Sequence, residues 1–281
     1  MNAAAKLAGF AATLAVVFGA AALAGGAVGP VHDPAPTAKA AEGMAGMGPK
    51  SEGAAPVRGL AVSDNGLTLQ LARASARRGR PFDLAFRIVD RRGRTVRDFD
   101  VEHTKRMHFI LVRRDMTGFQ HLHPTQAADG SWSVPVTLSD AGNYRVFADF
   151  AINGKAHTLA DDIQVDGSVR SQPLAAPART AKVDGMNVTL TEGPTNAGAE
   201  SQLSFTVTRY GKPVPVEDYL GAKGHLVALR RGDLAYLHVH PDEKNLKFMA
   251  EFPTAGTYRL FLQFQVDGRV HTAAFTQEVA R

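Results

Sequence analysis

The chain contains one passage twice. Residues 105–124 read KRMHFILVRRDMTGFQHLHP, and residues 222–241 read AKGHLVALRRGDLAYLHVHP. A duplicated passage of this length restricts the fold to two like domains in tandem. The histidines follow the duplication. His108, His121 and His123 match His225, His238 and His240 at one constant offset, and His157 in GKAHT matches His271 in GRVHT at a slightly shorter one. Of ten histidines, only His32 and His103 stand outside the scheme.

The length of 281 residues leaves room for two domains, each able to bury its own core. Cysteine is absent. Disulfides, thiolate metal sites and cysteine nucleophiles are therefore excluded together. A formal net charge of +5 raises the question of nucleic acid, but the basic residues are scattered and no stacking aromatics run between them. Nucleic acid is not an expected partner.

Residues 7–29 carry no charge and follow Lys6. This is the pattern of an export signal, with Ala22-Leu23-Ala24 as an A-x-A cleavage site. The run is also long enough to cross a bilayer as a helix. Residues 1–29 are thus a signal peptide or a membrane anchor, and either places the rest of the chain outside the cytoplasm, in the cell envelope or secreted. Residues 30–57 are rich in Pro, Ala and Gly and read as a flexible tether; it also holds His32 and the thioethers of Met44 and Met47, a sparse set that reads as part of an ordinary linker.

Beyond the tether, short β-rich runs alternate with turn signals, and no helical period appears. The expected fold class is all-β, with one sandwich over 58–168, a linker at 169–177 and a second sandwich over 178–281. DAGNYRVF and TAGTYRLF each place a Gly two residues before a Tyr at the start of a late strand. That is the signature of the tyrosine corner, so the sandwiches are expected to be immunoglobulin-like, with Tyr144 and Tyr258 structural.

His121-Leu122-His123 and His238-Val239-His240 lie in β-rich runs. Residues i and i+2 of a strand share a face, so both rings of each pair can reach one ion, while Leu122 and Val239 point to the core. Pro124 and Pro241 suit an edge strand or a strand end. His108 and His225 open the preceding strand and are expected beside the pairs. His157 and His271 open the last strand and are aligned in sequence without a spatial assignment. The expected metal ligands are therefore His108, His121, His123 and His157 with His225, His238, His240 and His271. Imidazole without thiolate suits copper as Cu(II), or zinc, in one shared site or two. Asp98, Asp100 and Glu102 alternate and read as a solvated strand face. The pairs Arg113-Arg114 and Arg230-Arg231 read as caps at the solvent end of an apolar strand.

Met107-His108, Asp115-Met116, Phe119, His121-Leu122-His123-Pro124 and Ala141-Gly142-Asn143-Tyr144 resemble the signature of exported, actinobacterial-type envelope proteins with a His-x-His-Pro motif, associated with heavy-metal and especially copper transport and resistance. The second copy matches with Gly224 in place of Met107. The resemblance implies a duplicated metal-associated β-domain, an envelope metal transporter as partner and a membrane contact through the N-terminal helix. The expected function is a metal-binding module for buffering or handover in the envelope. The alternative is a structural or adhesive envelope protein whose domains bind a protein or polymer without metal. An enzyme is not expected, because no G-x-S-x-G, H-E-x-x-H or repeated acid/base pair occurs.

Overall fold

In the computed structural model the described residues are 57–281, without 193, 194, 238 and 243 and without the side chains of 192 and 240. The expected N-terminal helix and tether lie outside them. Among the described residues no helix is long and apolar enough to cross a membrane.

The first repeat contains β1 (Ser63–Asp64), β2 (Leu67–Leu71), β3 (Ser75–Ala76), β4 (Phe82–Val89), β5 (His108–Arg113), β6 (Gln120–Leu122), β7 (Thr125–Gln126), β8 (Trp132–Val136), β9 (Gly142–Ile152) and β10 (Lys155–Val165). One sheet has the order β1-β2-β4-β8-β7 and the other β3-β10-β9-β5-β6. The second repeat contains β11 (Thr180–Val183), β12 (Met186–Glu192), β13 (Glu200–Arg209), β14 (Lys212–Pro213), β15 (Gly224–Arg230), β16 (Tyr236–Leu237), β17 (His240–Pro241), β18 (Lys247–Glu251), β19 (Gly256–Val266) and β20 (Arg269–Val279). Its sheets run β11-β12-β13-β18-β17, with β14 on β13, and β16-β15-β19-β20. Both repeats are immunoglobulin-like sandwiches.

Local chemistry explains the frame. The β9–β10 hairpin turns on Asn153-Gly154 and its counterpart β19–β20 on Asp267-Gly268, all four with positive φ. Asn-Gly and Asp-Gly are the residues that a tight two-residue hairpin favours. Tyr258 donates its hydroxyl to Thr254 O at 2.9 Å, and the Tyr144 hydroxyl bonds the Asp140 backbone. The tyrosine corner is thus present in both repeats, with each ring fully buried.

Most outer strands alternate, as in Trp132–Val136 and Lys247–Glu251, with one face in the core and one in water. The central strands β5 and β15 do not. Every residue of His108–Arg113 is buried, as is every residue of β15 up to Leu229. Phe109 and Leu111 enter the first core, and Leu226 and Ala228 the second. The alternate residues Ile110 and Val112 meet Val227 and Leu229 in a third cluster, with Phe147, Ala160, Tyr236 and Phe261. The two sandwiches therefore pack sheet against sheet. Matching positions exchange roles across this interface. Phe119 stacks on Phe261 with centroids 4.1 Å apart, and their counterparts Tyr236 and Phe147 lie 5.4 Å apart. The segment between the repeats is held down as well: Gln172 N donates to Asp115 at 2.9 Å, and Leu174 packs on the third cluster.

Two expectations change here. Arg113 does not cap a strand in solvent. It is 3% exposed and makes a bidentate pair with Asp115 at 2.9 and 2.6 Å, closing the turn after β5. Arg230 pairs with Asp233 in the same way. A guanidinium at a buried strand end needs such a fork of acceptors. Residues 98–102 do not form a strand; Asp100 instead accepts from Gly154 N at 2.7 Å.

Phe261→Ala removes a ring from the interface between repeats and is expected to lower stability by about 3–5 kcal/mol. Urea unfolding measures this, and a loss below about 1 kcal/mol would contradict a close-packed interface.

Candidate metal centre

β6 is the outermost strand of its sheet, and its register on β5 pairs His121 with Ile110. Paired residues share a face, so His121 looks toward the second repeat, as Ile110 does. Leu122 faces the other way and packs on the first core. The chain then crosses to the opposite sheet at His123-Pro124, where the missing proline donor costs the ladder nothing. This path sets the His121 and His123 rings 4.8 Å apart, with His108 at 5.3 and 5.1 Å from them. One ligand nitrogen from each of the three lies within 4.8 Å of the other two.

The hydrogen bonds around the triad leave it short of protons. His108 Nε2 donates to the Glu102 carbonyl at 3.2 Å, and His121 Nδ1 donates to Gln263 Oε1 at 2.7 Å. Both acceptors lack protons, so each neutral ring spends its only N–H outward. The inward atoms, His108 Nδ1 and His121 Nε2, are then two lone pairs 3.0 Å apart. His123 Nε2 is buried with no hydrogen-bond partner among the described residues. A third proton would relieve the contact, but burial opposes it. Desolvation is the largest cause holding His121 well below the ordinary imidazole range and His108 below it, and it lowers His123 to about 3. A cation bound by inward lone pairs, with outward N–H groups on carbonyl oxygens, is the arrangement that metal-ligating histidines adopt.

His225 lies at the same junction. Its Nε2 donates to Tyr219 O at 3.1 Å, as His108 does to Glu102, which leaves Nδ1 as a lone pair. Its ring is 6.1 Å from His108 and 6.0 Å from His121. Burial, with the neighbouring His108, lowers it to about 4. Gly224 explains one divergence between the repeats. A Cβ there would meet Gln263 O at 2.6 Å and Leu246 at 2.7 Å, so the side chain of Met107 has no room at its counterpart position. A cavity of about 40 Å³ is lined by His103, His108, His121, His225, Asp149 and Tyr236. That volume has room for an ion with a few waters. The Asp149 carboxylate accepts from Thr158 Oγ1 at 2.7 Å and Tyr236 Oη at 3.2 Å, and adds negative charge beside His108.

His157 and His271 do not join the cluster. His108 pairs with Asp149 across β5–β9, whereas His157 pairs with the next residue, Phe150, across β9–β10. Adjacent strand residues face opposite sides, so His157 lies on the core side of the sheet, its ring 5.5 Å from Phe150. The second repeat does the same: His225 pairs with Gln263 and His271 with Phe264. His271 is held by Asp184 Oδ2 at 2.6 Å and Val266 O at 3.3 Å. The remaining sequence candidates, His238 and the side chain of His240, lie outside the described residues.

Three participants escaped the sequence reading. The Glu102 carbonyl carries no side-chain signal. Gln263 belongs to the other repeat, where its counterpart is Asp149. His103 has no counterpart in the repeat, yet its ring is 5.4 Å from His225 and 6.3 Å from His108.

Fold and site together define a tandem immunoglobulin-like protein with a buried histidine cluster where its repeats meet. The chain belongs to the family described as domain of unknown function DUF8832, which matches it twice, at residues 61–167 and 181–281. Comparison with curated proteins gives no match. Similar solved structures include the Escherichia coli adhesin FdeC, at 16% identity and TM-score 0.28 over 79% of this chain and 66% of that chain. Yersinia pseudotuberculosis InvD is 14% identical, with TM-score 0.26, over 77% of this chain and 58% of that one. A Corynebacterium diphtheriae protein described as membrane anchored is 12% identical, with TM-score 0.24, over 78% and 59%. The chain thus spans less than two thirds of each of these chains, and none of the likenesses carries a function to it.

The metal-free cluster makes the fold acid-sensitive. Its rings are neutral in the fold and protonate near 6.5 in the unfolded chain, so acid favours unfolding. Stability is expected to be complete above pH 6.5 and to fall as the pH drops toward about 4, where His225 titrates in the fold. Each ring contributes at most about 1.4 kcal/mol per pH unit. Urea unfolding against pH in the presence of a chelator checks this; His225→Asn should give a shallower slope, and a flat profile from pH 7 to 5 would contradict it.

Proposed function

We propose that the protein is a metal-binding module of the cell envelope, holding one Cu(II) or Zn(II) ion on His108, His121 and His123 for buffering or handover. The observation that carries this reading is the crowding of ring nitrogens: His108 Nδ1 and His121 Nε2 lie 3.0 Å apart while the other nitrogen of each ring faces a carbonyl oxygen, an arrangement in which two neutral rings have too few protons for all three contacts. Nitrogen-only ligation with no thiolate fits Zn(II) and Cu(II) better than Cu(I). Neutral rings at pH 7 need release no proton on binding. The uncharged run at 7–29 supports an envelope location, anchored or secreted.

A second reading, a structural or adhesive envelope protein that binds a protein or polymer, is open to an immunoglobulin-like fold, which does not itself name a function. Under it, His121→Ala changes stability alone and leaves metal uptake unaltered.

Calorimetry on the full chain separates the two. The metal reading expects one tight site for Cu(II) or Zn(II), weakened roughly 100-fold or more by His121→Ala or His123→Ala. Wild-type binding no tighter than about millimolar would overturn it.

A further inference from the structure

We infer that the ion is shared between the repeats: His225 is its fourth ligand, Gln263 sets the ring of His121, and metal binding ties the two sandwiches together. This inference rests on the metal reading above and adds a second half to the site.

Four imidazoles around one ion, with metal–nitrogen bonds of about 2.0–2.1 Å, set ring centroids about 5.2 Å apart in a tetrahedron. The triad stands at 4.8, 5.1 and 5.3 Å. His225 stands at 6.0 and 6.1 Å from two of its members, so it closes on each of these two by about 1 Å to reach that spacing. Its ring is prepared for that step, since Tyr219 O fixes the proton on Nε2 and leaves Nδ1 as donor. It also lines the same cavity as His108 and His121.

The coupling runs through Gln263. This residue belongs to β19 of the second repeat, yet its Oε1 accepts from Nδ1 of His121 in the first, at 2.7 Å. Its amide nitrogen is held in turn by Thr272 Oγ1 at 3.3 Å. His121 is therefore oriented only while the two sheets are docked. A ligand that binds the docked arrangement better than the separated one stabilises docking by the same factor. The ion and the interface of Ile110, Val112, Val227 and Leu229 then reinforce one another.

The test loads the full chain with Cu(II) and counts ligating nitrogens from the superhyperfine lines of its electron paramagnetic resonance spectrum. Four imidazole nitrogens are expected in the wild type and three in His225→Ala. Gln263→Ala should weaken Cu(II) binding about 10–100-fold. Gln263→Glu, which keeps an acceptor oxygen in reach of His121, should restore it. If Gln263→Ala does not fold, the His225→Ala spectrum decides alone. Three nitrogens in the wild type, or an unchanged count in His225→Ala, would overturn the shared site and leave the triad standing. Absence of any Cu(II) binding by the wild type would overturn both readings.

Discussion

The docking of one sheet of each repeat against the other governs the rest of the molecule. β5 and β15 are buried on both faces, one toward their own core and one toward the partner repeat. Without that contact, Ile110, Val112, Val227, Leu229, Phe147 and Phe261 would stand in water. Each large side chain among them gains roughly 1.5–3 kcal/mol from burial. The same contact carries Gln263 and His225 to the histidines of the first repeat. Interface and site therefore share one origin, and a polar cluster survives at the edge of an apolar seam because carbonyl oxygens and one carboxylate surround it.

Much of the fold was legible in the sequence. The duplicated passage, the Asn-Gly and Asp-Gly turns and the two Ala-Gly-x-Tyr segments each have a local cause, and local causes can be read along a chain. The closeness of His121 and His123 was expected from the two-residue period of a strand, but β6 ends at Leu122 and the crossing at His123-Pro124 brings the second ring to the first. The arrangement of the repeats was harder to see. The runs FILV and LVAL lack alternation, which marks strands covered on both faces, but nothing in them names the covering partner.

The fourth histidine pair shows where alignment stops being geometry. His157 and His271 recur as faithfully as the others. Whether they join His108 and His225 depends on one step of register across β9 and β19, and that step turns them to the core. Conversely, the Glu102 carbonyl and Gln263 matter through position alone. A backbone oxygen has no sequence signature, and a glutamine whose counterpart is Asp149 does not stand out in a comparison of the repeats. His103, outside the repeat, reaches the cluster because a positive-φ turn carries it there.

X-ray absorption on the full chain, loaded with one equivalent of Zn(II) and freed of loosely held metal, tests the central claim most directly. The expected spectrum has nitrogen or oxygen neighbours at about 2.0–2.1 Å, with the outer scattering of at least three imidazole rings and no sulfur. Loss of the metal during washing, or a coordination shell without imidazole, would contradict the account.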